Sequence, residues 1–456
     1  MNKILLGIGI IATVLLSVAC SNNEEVEKAN QLRLEGKLDE AAELYTKAAE
    51  DGNAYAMWCL WRAYNNGEGV EFNPQKGMEW LQKAAENDCE EAQMDLARSY
   101  LYGWDVPVDS IKAKKMINKL VESSKNPYVI VRYACFYWDG EEGFIEKNRD
   151  KALEILESIT DKEHPEYLFI MGYVYYYGKE SNDADDIKGI EYWEKAFNKG
   201  RISAAVQISD AYLDGSANIK PDIDKKVEWL KKGMNYNSAV CMRGLGYIYL
   251  SEDSVFVKYH NPEQGLTLLR KAVKFGDARA CNLLGWRYES GSNVNVDYKE
   301  AFEMYKKADE YGSGEGSYNL GRCYMSGIGC EKDFDKAEEC FIRAADREYP
   351  DAAFWLAQFY ETGVFDFSNI EKFNKYNELG AKLGHKDCQF QLAINYYYGY
   401  NNYPVDYFKS FEYAKKAADQ DMKPAIEHIV MCYENGTGCA KDLQKAQEYR
   451  EKLKGL

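Results

Sequence analysis

The chain has 456 residues, of which 46% are hydrophobic and 29% are charged, a composition typical of a folded protein rather than a disordered one. Its 74 acidic and 57 basic residues give a formal net charge of −17, which repels phosphate backbones, so no nucleic-acid partner is expected. Only 9 prolines are present. Their scarcity favours a chain made mostly of helices, because proline inside a helix removes a backbone hydrogen bond.

The first twenty residues have the pattern of an export signal. Lys3 gives a basic start, residues 4–19 are apolar apart from Gly, Thr and Ser, and the chain becomes polar directly after Cys20. An apolar run of this length is short for a membrane span, which needs about 20 residues, but suits a signal-peptide core. The end of the run, Leu16-Ser17-Val18-Ala19-Cys20, resembles the lipobox of bacterial lipoproteins.

This resemblance implies a signal peptide over residues 1–19, a lipid on Cys20 and a short lipidated linker over residues 20–27. Two or more acyl chains would hold the protein stably on a bilayer. The acidic SNNEE segment after Cys20 resembles signals that send lipoproteins to the cell surface, so we expect the outer membrane or cell surface, with a periplasmic orientation as the alternative. An ordinary secretory signal or a weak transmembrane anchor also stays open.

From residue 54 onward one motif recurs every 36 to 39 residues, and its most regular member is a tyrosine. The tyrosines are Tyr64, Tyr100, Tyr137, Tyr175, Tyr212, Tyr249, Tyr288, Tyr324, Tyr360, Tyr396 and Tyr433. Glycine follows ten of them three residues later, and Glu252 stands at the exception. Each unit also contains a second stretch with apolar residues at spacings of three and four, as in KGMEWLQKAAEND, which predicts a second helix.

Each unit is therefore predicted to be helix, glycine-bearing turn, helix. Glycine terminates the first helix, and Asn73-Pro74 and Asn261-Pro262 begin second helices with an asparagine N-cap. Neither helix can bury its apolar stripe alone, so neighbouring units must stack.

The units resemble the Sel-one-like repeat, a longer relative of the tetratricopeptide repeat. Ala280-Leu284-Gly285-Tyr288-Gly291 matches its first-helix motif. The start of the folded region, over residues 27–52, looks more like a tetratricopeptide unit. The resemblance implies an all-α fold, a right-handed α-solenoid superhelix of helix-turn-helix repeats. We expect a single solenoid over residues 28–456 with about eleven repeats and a C-terminal capping helix, and irregular units around residues 123–128 and 251–261.

Motifs for chemistry are absent from the sequence, so we expect no enzyme, no cofactor and no metal. The four histidines lie in different repeats without paired spacing. Some cysteine-rich relatives are described as acting on β-lactams, which asks for a serine with lysine three residues later, and no serine here has one. Those relatives also staple helix pairs with disulfides, so Cys323 with Cys330, and Cys432 with Cys439, are either disulfides after export or buried thiols.

The expected binding surface is a stripe on the first helices, at positions six and two before the tyrosine and one after it. In tetratricopeptide solenoids the matching stripe lines a concave groove. It is rich in aromatic residues and arginine, the residues that dominate binding hot spots. Its members are Trp58, Arg62, Arg98, Trp138, Phe169, Tyr176, Arg243, Tyr247, Trp286, Tyr318, Arg322, Phe354, Gln358, Phe390 and Tyr397. The same rings would also suit packing against the next repeat.

The sequence thus predicts a membrane-anchored, non-catalytic scaffold of the bacterial cell envelope that binds a protein or peptide. A glycan-binding lipoprotein that uses the aromatic stripe is the alternative. An enzyme that acts on cell-wall material or β-lactams is the third interpretation, and it lacks a nucleophile.

Overall fold

The computed structural model describes residues 24–104, 106–141, 143–178, 184–365 and 369–456. Apart from one isolated bridge between Glu141 and Ile145, regular structure in this part of the chain is helical. The expected all-α fold of repeated helix pairs is confirmed. The predicted signal peptide and Cys20 lie outside the described residues. No helix among the described residues is long and apolar enough to cross a bilayer.

The chain forms two compact units, the first ending at Asp277 and the second spanning Ala278–Leu456. The helices of the first unit are α1 (24–34), α2 (Leu38–Glu50), α3 (Ala54–Asn66), α4 (Pro74–Glu86), α5 (Glu90–Tyr102), α6 (Ser110–Val121), α7 (Pro127–Asp139), α8 (Arg149–Glu157), α9 (Pro165–Tyr177), α10 (Asp186–Asn198), α11 (Ala204–Asp214), α12 (Ile223–Met234), α13 (Ala239–Leu250) and α14 (Pro262–Lys274). Those of the second are α15 (Ala278–Ser290), α16 (Tyr298–Glu310), α17 (Gly314–Ser326), α18 (Phe334–Asp346), α19 (Pro350–Thr362), α20 (Ile370–Lys382), α21 (Lys386–Tyr398), α22 (Tyr407–Ala418), α23 (Lys423–Asn435) and α24 (Leu443–Lys454).

One backbone hydrogen bond explains why the tyrosine position is so regular. In every pair from α3–α4 to α23–α24, the carbonyl oxygen of the tyrosine accepts from the backbone N–H of the residue that caps the second helix, as Tyr324 does from Asp333 at 3.0 Å. That residue is always Asn or Asp, and its side chain accepts from a backbone N–H two or three residues later. The cap satisfies a donor that the helix itself leaves unpaired.

A lysine three residues after this cap covers the face of the tyrosine ring in eight pairs. The ammonium lies 3.8–5.6 Å from the ring centroid, within the range of a cation–π contact. The eight lysines are Lys76, Lys112, Lys188, Lys225, Lys336, Lys372, Lys409 and Lys445. The turn between the two helices is therefore fixed by a backbone bond, an Asx cap and a ring contact, all read from a short stretch of sequence.

Glycine ends the first helix because the backbone there is left-handed. Gly327 has φ 76° and its N–H bonds to the carbonyl oxygen of Cys323 at 2.8 Å. Two residues on, Gly329 has φ 71°, and a Cβ at this position would overlap the backbone oxygen of Tyr298, the first residue of α16 in the preceding pair. The glycine-rich turn thus packs directly against the neighbouring repeat.

The first unit also makes contact with itself across long stretches of chain. Arg33 in α1 donates to the carbonyl oxygen of Gly200 at 3.4 Å, although 167 residues separate them. A Cβ on Gly36 would lie 3.3 Å from the carbonyl oxygen of Asn235, and one on Gly67 would overlap the ring of Phe275. Helix pairs that are distant in sequence are therefore adjacent within this unit.

The core of the second unit lies between consecutive helix pairs. Its largest fully buried rings, each 1–2% exposed, are Tyr305, Phe341, Tyr360 and Phe373. The final helix, α24, contributes Ala446 as its buried residue, and Tyr449 and Leu453 pack partly buried against the same cluster. Most of its other side chains are polar.

The two units expected to be irregular keep the helix-pair plan. Around residues 123–128, the side chain of Asn126 caps α7 by accepting from the N–H of Tyr128 at 2.9 Å. Where Glu252 replaces glycine, α13 ends in an extended residue, Ser251, and a short 3-10 turn spans Val257–Tyr259. The N–H of Asn261 still bonds to the carbonyl oxygen of Tyr249 at 2.8 Å, so the connection is longer but the cap is unchanged.

Candidate interaction surfaces

The residues of the expected binding stripe do not all reach solvent. Trp58 and Trp138 are 3% and 9% exposed, so the prediction that they lie on an exposed face is wrong. Trp138 belongs to a buried cluster with Leu156 and, from the next repeat, Tyr167, and the guanidinium of Arg149 lies over its ring at 4.9 Å. These two rings pack between neighbouring repeats, which is the alternative that the sequence left open.

Trp58 is buried because its indole has a partner in the next repeat. Its Nε1–H donates to the carboxylate of Asp95 at 2.9 Å, and the hydroxyl of Tyr128 donates to the same carboxylate at 2.8 Å. The rings of Trp58 and Tyr128 meet edge to face, with centroids 5.3 Å apart. An indole N–H needs an acceptor once it leaves water, and Asp95, itself 3% exposed, supplies it.

Three of the four stripe arginines are held by carboxylates. Arg98 pairs with Asp95 at 3.5 Å, Arg243 with Asp277 at 3.0 Å, and Arg322 with Glu289 at 2.9 Å. The last two pairs join residues about one repeat apart. Arg243 and Arg322 therefore connect repeats, and all three arginines have a carboxylate that balances their charge.

In the first unit these contacts belong to a larger set that we call the polar ring. Its members are linked through hydrogen bonds, ion pairs and ring contacts: Arg33, Trp58, Arg62, Glu68, Asp95, Tyr128, Arg132, Glu166 and Arg201. From Asp95 the contacts pass through Tyr128 and Arg132 to Glu166. Glu166 also pairs with Arg201, which follows the Gly200 whose carbonyl oxygen accepts from Arg33. The polar ring therefore includes the place where the first unit contacts itself.

Electrostatics in the polar ring follow from burial. Glu166 is 6% exposed, and burial alone would raise its pKa, but Arg201 and Arg132 more than offset this, so the pKa lies below its ordinary value. Burial lowers the pKa of Arg201, and the neighbouring Arg132 and Arg62 add to this effect against the attraction of Glu166. Cationic groups thus crowd this part of the molecule.

The second unit exposes its aromatic residues more. Trp286 is 50% exposed and Trp355 is 41% exposed. Trp355 lies beside Phe354 and Phe359, at centroid distances of 5.4 and 5.6 Å. The sequence pattern does not identify Trp355, because the stripe position of this helix is Phe354, one residue earlier. We call Trp286, Tyr318, Arg322, Phe354 and Trp355 the aromatic face of the second unit.

Other stripe residues are half-buried and pack against neighbouring side chains. Phe354 stacks on His385 with centroids 4.5 Å apart, and Tyr397 meets His428 edge to face at 5.0 Å. The remaining half-buried members are Phe169, Tyr176, Gln358 and Phe390. Tyr247, at 49% exposure, is the stripe ring of the first unit that faces solvent most.

The two cysteine pairs contain thiols in this structure. The thiol of Cys330 donates to the backbone oxygen of Cys323 at 3.4 Å. Burial raises the pKa of Cys323 to about 12 and that of Cys432 to about 11, so both thiols stay protonated at neutral pH. Disulfide formation between Cys323 and Cys330, or between Cys432 and Cys439, stays a prediction.

Comparison with known proteins identifies the repeat. The model of the Sel1 repeat matches residues 35–53, 54–89, 90–122, 127–164, 165–200, 202–233, 239–277, 278–308, 314–349, 350–385, 386–422 and 431–452. The Sel1-repeat-containing protein YjcO of Escherichia coli (strain K12) is 30% identical over 142 residues. That match covers 30% of this chain and 61% of YjcO, less than two thirds of its length.

Two solved structures are similar in fold. A protective antigen of uropathogenic Escherichia coli with an SLR fold is 21% identical, covers 91% of each chain and has a TM-score of 0.42. A Sel1 repeat protein from Oxalobacter formigenes is 21% identical to this chain. The match covers 73% of this chain and 91% of the Oxalobacter chain, with a TM-score of 0.45. The twelve repeat matches extend over most of the described residues. The chain therefore belongs to the Sel1 repeat family, whose helical scaffolds are suited to protein–protein interaction.

Proposed function

We propose that the protein is a membrane-anchored, non-catalytic scaffold of the cell envelope that binds a protein or peptide through the aromatic face of its second unit. The observation that carries the proposal is the exposure of Trp286 and Trp355, large rings that a folded monomer ordinarily buries. Interface hot spots are enriched in tryptophan, tyrosine and arginine, and Arg322 lies on the same face. The repeat family supports interaction in general, and this face is where we place it.

Two structural features favour this face over the stripe of the first unit. Trp58 and Trp138 in the first unit are committed to internal packing and cannot contact a partner without unfolding. In the second unit, the ion pair between Arg322 and Glu289 holds α17 against α15. The ring of Trp286, which the guanidinium of Arg287 approaches at 5.4 Å, stays half exposed. A rigid support for exposed rings limits the entropy lost on binding.

Binding can be tested with paired substitutions. We expect Trp286→Ala combined with Trp355→Ala to reduce capture of a crosslinked partner from membranes by at least tenfold, since each hot-spot ring contributes about 2 kcal/mol or more. Its melting temperature should stay close to that of the unchanged protein, because both rings are substantially exposed.

The matched control is Phe334→Ala, which removes a ring that is 51% exposed at the start of α18, on a second helix. We expect full partner capture from this variant. If both variants capture the partner as well as the unchanged protein, the aromatic face is not the binding surface.

We place the scaffold on a membrane through a lipid on Cys20, facing the cell surface or the periplasm. Cys20→Ala should leave the precursor unacylated and abolish metabolic labelling with a fatty acid. Label that persists in this variant would show that the anchor lies elsewhere in the chain.

Glycan binding is the second candidate, and one feature of the second unit favours it. Tyr398 and Tyr400 stack with centroids 5.2 Å apart and an interplanar angle of 20°, and each ring is about half exposed. Flat, exposed tyrosine rings are suited to stacking on sugars, with a hydroxyl that can bond at the edge. Retention on immobilised cell-wall glycan that is lost in Tyr398→Ala and kept in Phe334→Ala would support this candidate over a protein partner.

A further inference from the structure

A small cavity lies between the first two helix pairs of the first unit. Its volume is about 40 Å³, and its polar lining consists of Asn30, Arg33, Tyr45, Cys59, Arg62 and Glu68, together with the ring of Tyr55. A water molecule needs roughly 10–15 Å³ of such space, so the cavity has room for a group of a few heavy atoms.

Four polar groups of this lining are bonded in two pairs, Arg33 with Glu68 and Tyr45 with Asn30. Glu68 accepts from Nε of Arg33 at 2.9 Å and from Nδ2 of Asn66 at 3.2 Å. The hydroxyl of Tyr45 donates to Oδ1 of Asn30 at 2.6 Å. Among the described residues, the guanidinium of Arg62 makes no hydrogen bond and no ion pair, and its close contact is with the ring of Trp58 at 5.0 Å.

Arginines outnumber carboxylates around Arg62. Burial would lower the pKa of its guanidinium, but the nearby carboxylate of Glu68 raises this pKa above its ordinary value. Arg33 is bonded to Glu68, Arg98 to Asp95, and both Arg132 and Arg201 to Glu166. Five arginines therefore face three carboxylates: Arg33, Arg62, Arg98, Arg132 and Arg201 against Glu68, Asp95 and Glu166. This local excess stands out in a chain with a net charge of −17. A buried cationic group surrounded by protein attracts anions more strongly than one in water.

We propose that this cavity binds a single carboxylate group through the guanidinium of Arg62. Five N–H donors in a planar fork match the two oxygens of a carboxylate, and Arg62 has these donors to offer. A guanidinium without an ion pair and the size of the cavity fit a group of a few atoms that carries one negative charge. The carboxylate belongs either to a small free acid or to a peptide. This site lies in the first unit, and it is independent of the aromatic face.

Equilibrium dialysis of the full chain with radiolabelled acetate, at constant ionic strength set with sodium chloride, tests the proposal. We expect saturable binding of one acetate per chain. Arg62→Gln should weaken it at least tenfold, because the donors and the charge are both lost. Arg450→Gln, which removes the same charge from an arginine that pairs with Glu434 in the second unit, should leave it unchanged. Glu68→Gln should tighten binding, because it removes the nearest competing carboxylate.

Competition distinguishes the two sources of the carboxylate. An N-acetylated trialanine with a free C-terminus is compared with its C-terminal amide as a competitor of labelled acetate. Displacement by the free-ended peptide at lower concentration than unlabelled acetate identifies a peptide ligand, and displacement by acetate alone identifies a small acid. Absence of saturable acetate binding, or binding that Arg62→Gln does not weaken, overturns the proposal. Should Arg62→Gln fail to fold, unchanged acetate affinity in Glu68→Gln overturns it equally.

Discussion

The contact between Gly329 and the preceding repeat gives a prediction that isolates one feature of the stacking. Gly329 and Gly312 both have left-handed backbones, with φ 71° and 81°. A Cβ on Gly329 would overlap the backbone oxygen of Tyr298, whereas a Cβ on Gly312 would have nothing within 4 Å. Alanine at either position bears the same conformational cost, so the difference between the two variants measures the packing between repeats alone.

The size of each effect follows from these two terms. A left-handed alanine costs about 1–2 kcal/mol. Overlap with a backbone atom that cannot rotate away adds about 1–3 kcal/mol, as overpacking does in cores. Gly312→Ala should therefore destabilise the chain by about 1–2 kcal/mol, and Gly329→Ala by about 2–5 kcal/mol.

Hydrogen–deuterium exchange of the full chain suits this comparison, because repeats open locally and a single melting temperature averages over them. Peptides from α16 and α17 should exchange about 5- to 140-fold faster in Gly329→Ala than in Gly312→Ala, since about 1.4 kcal/mol corresponds to a factor of ten. Peptides from α23 and α24 serve as the internal control and should exchange alike in both variants. Equal exchange of α16 and α17 in the two variants would refute the close approach of the turn to Tyr298.

Three further predictions concern the polar ring and the caps. Trp58→Ala should destabilise the first unit by about 3–5 kcal/mol in urea unfolding, as a core truncation does, whereas an exposed ring would change stability by less than about 0.5 kcal/mol. Glu166→Gln should destabilise by about 3–5 kcal/mol at pH 7, because it leaves buried arginines uncompensated. The folded pKa of Glu166 lies below its ordinary value of 4.5, so its contribution to stability is present above pH 4.5 and is lost as the pH falls through the folded pKa. The stability difference between Glu166→Gln and the unchanged protein should therefore shrink below pH 4.5. A difference that stays constant with pH would contradict the ion pairing of Glu166 with the buried arginines. Asp333→Ala should cost about 1 kcal/mol by removing the α18 cap. The control is Asp335→Ala, which removes a carboxylate from the same first turn but leaves the cap bond in place, and it should lower thermal stability less.

Much of the fold could be predicted from the sequence because its determinants are local. The tyrosine and the Asn or Asp that caps the next helix are separated by 9 to 12 residues, and the bond between them recurs in every pair from α3–α4 onward. Glycine three residues after the tyrosine indicates a left-handed backbone at the end of the first helix, as at Gly327. Helical periodicity then predicts the rest of each pair, so the helix-pair fold follows from spacing. The repeat family followed from the resemblance of the motif to a known repeat, and the family model confirms it.

The binding surface could not be predicted as fully, because it depends on contacts between residues far apart in the chain. Trp58 occupies a repeat position at which the pattern predicts a ring on the surface. Asp95 and Tyr128, which lie 37 and 70 residues later in the chain, cover this ring. The excess charge around Arg62 depends on Arg201 lying close to Arg33, which the contact between Arg33 and Gly200 brings about. The sequence alone determined the helix pairs and their turns, since these are set by hydrogen bonds within one repeat. Only the tertiary structure decided which rings and charges are buried, because burial depends on how distant repeats meet.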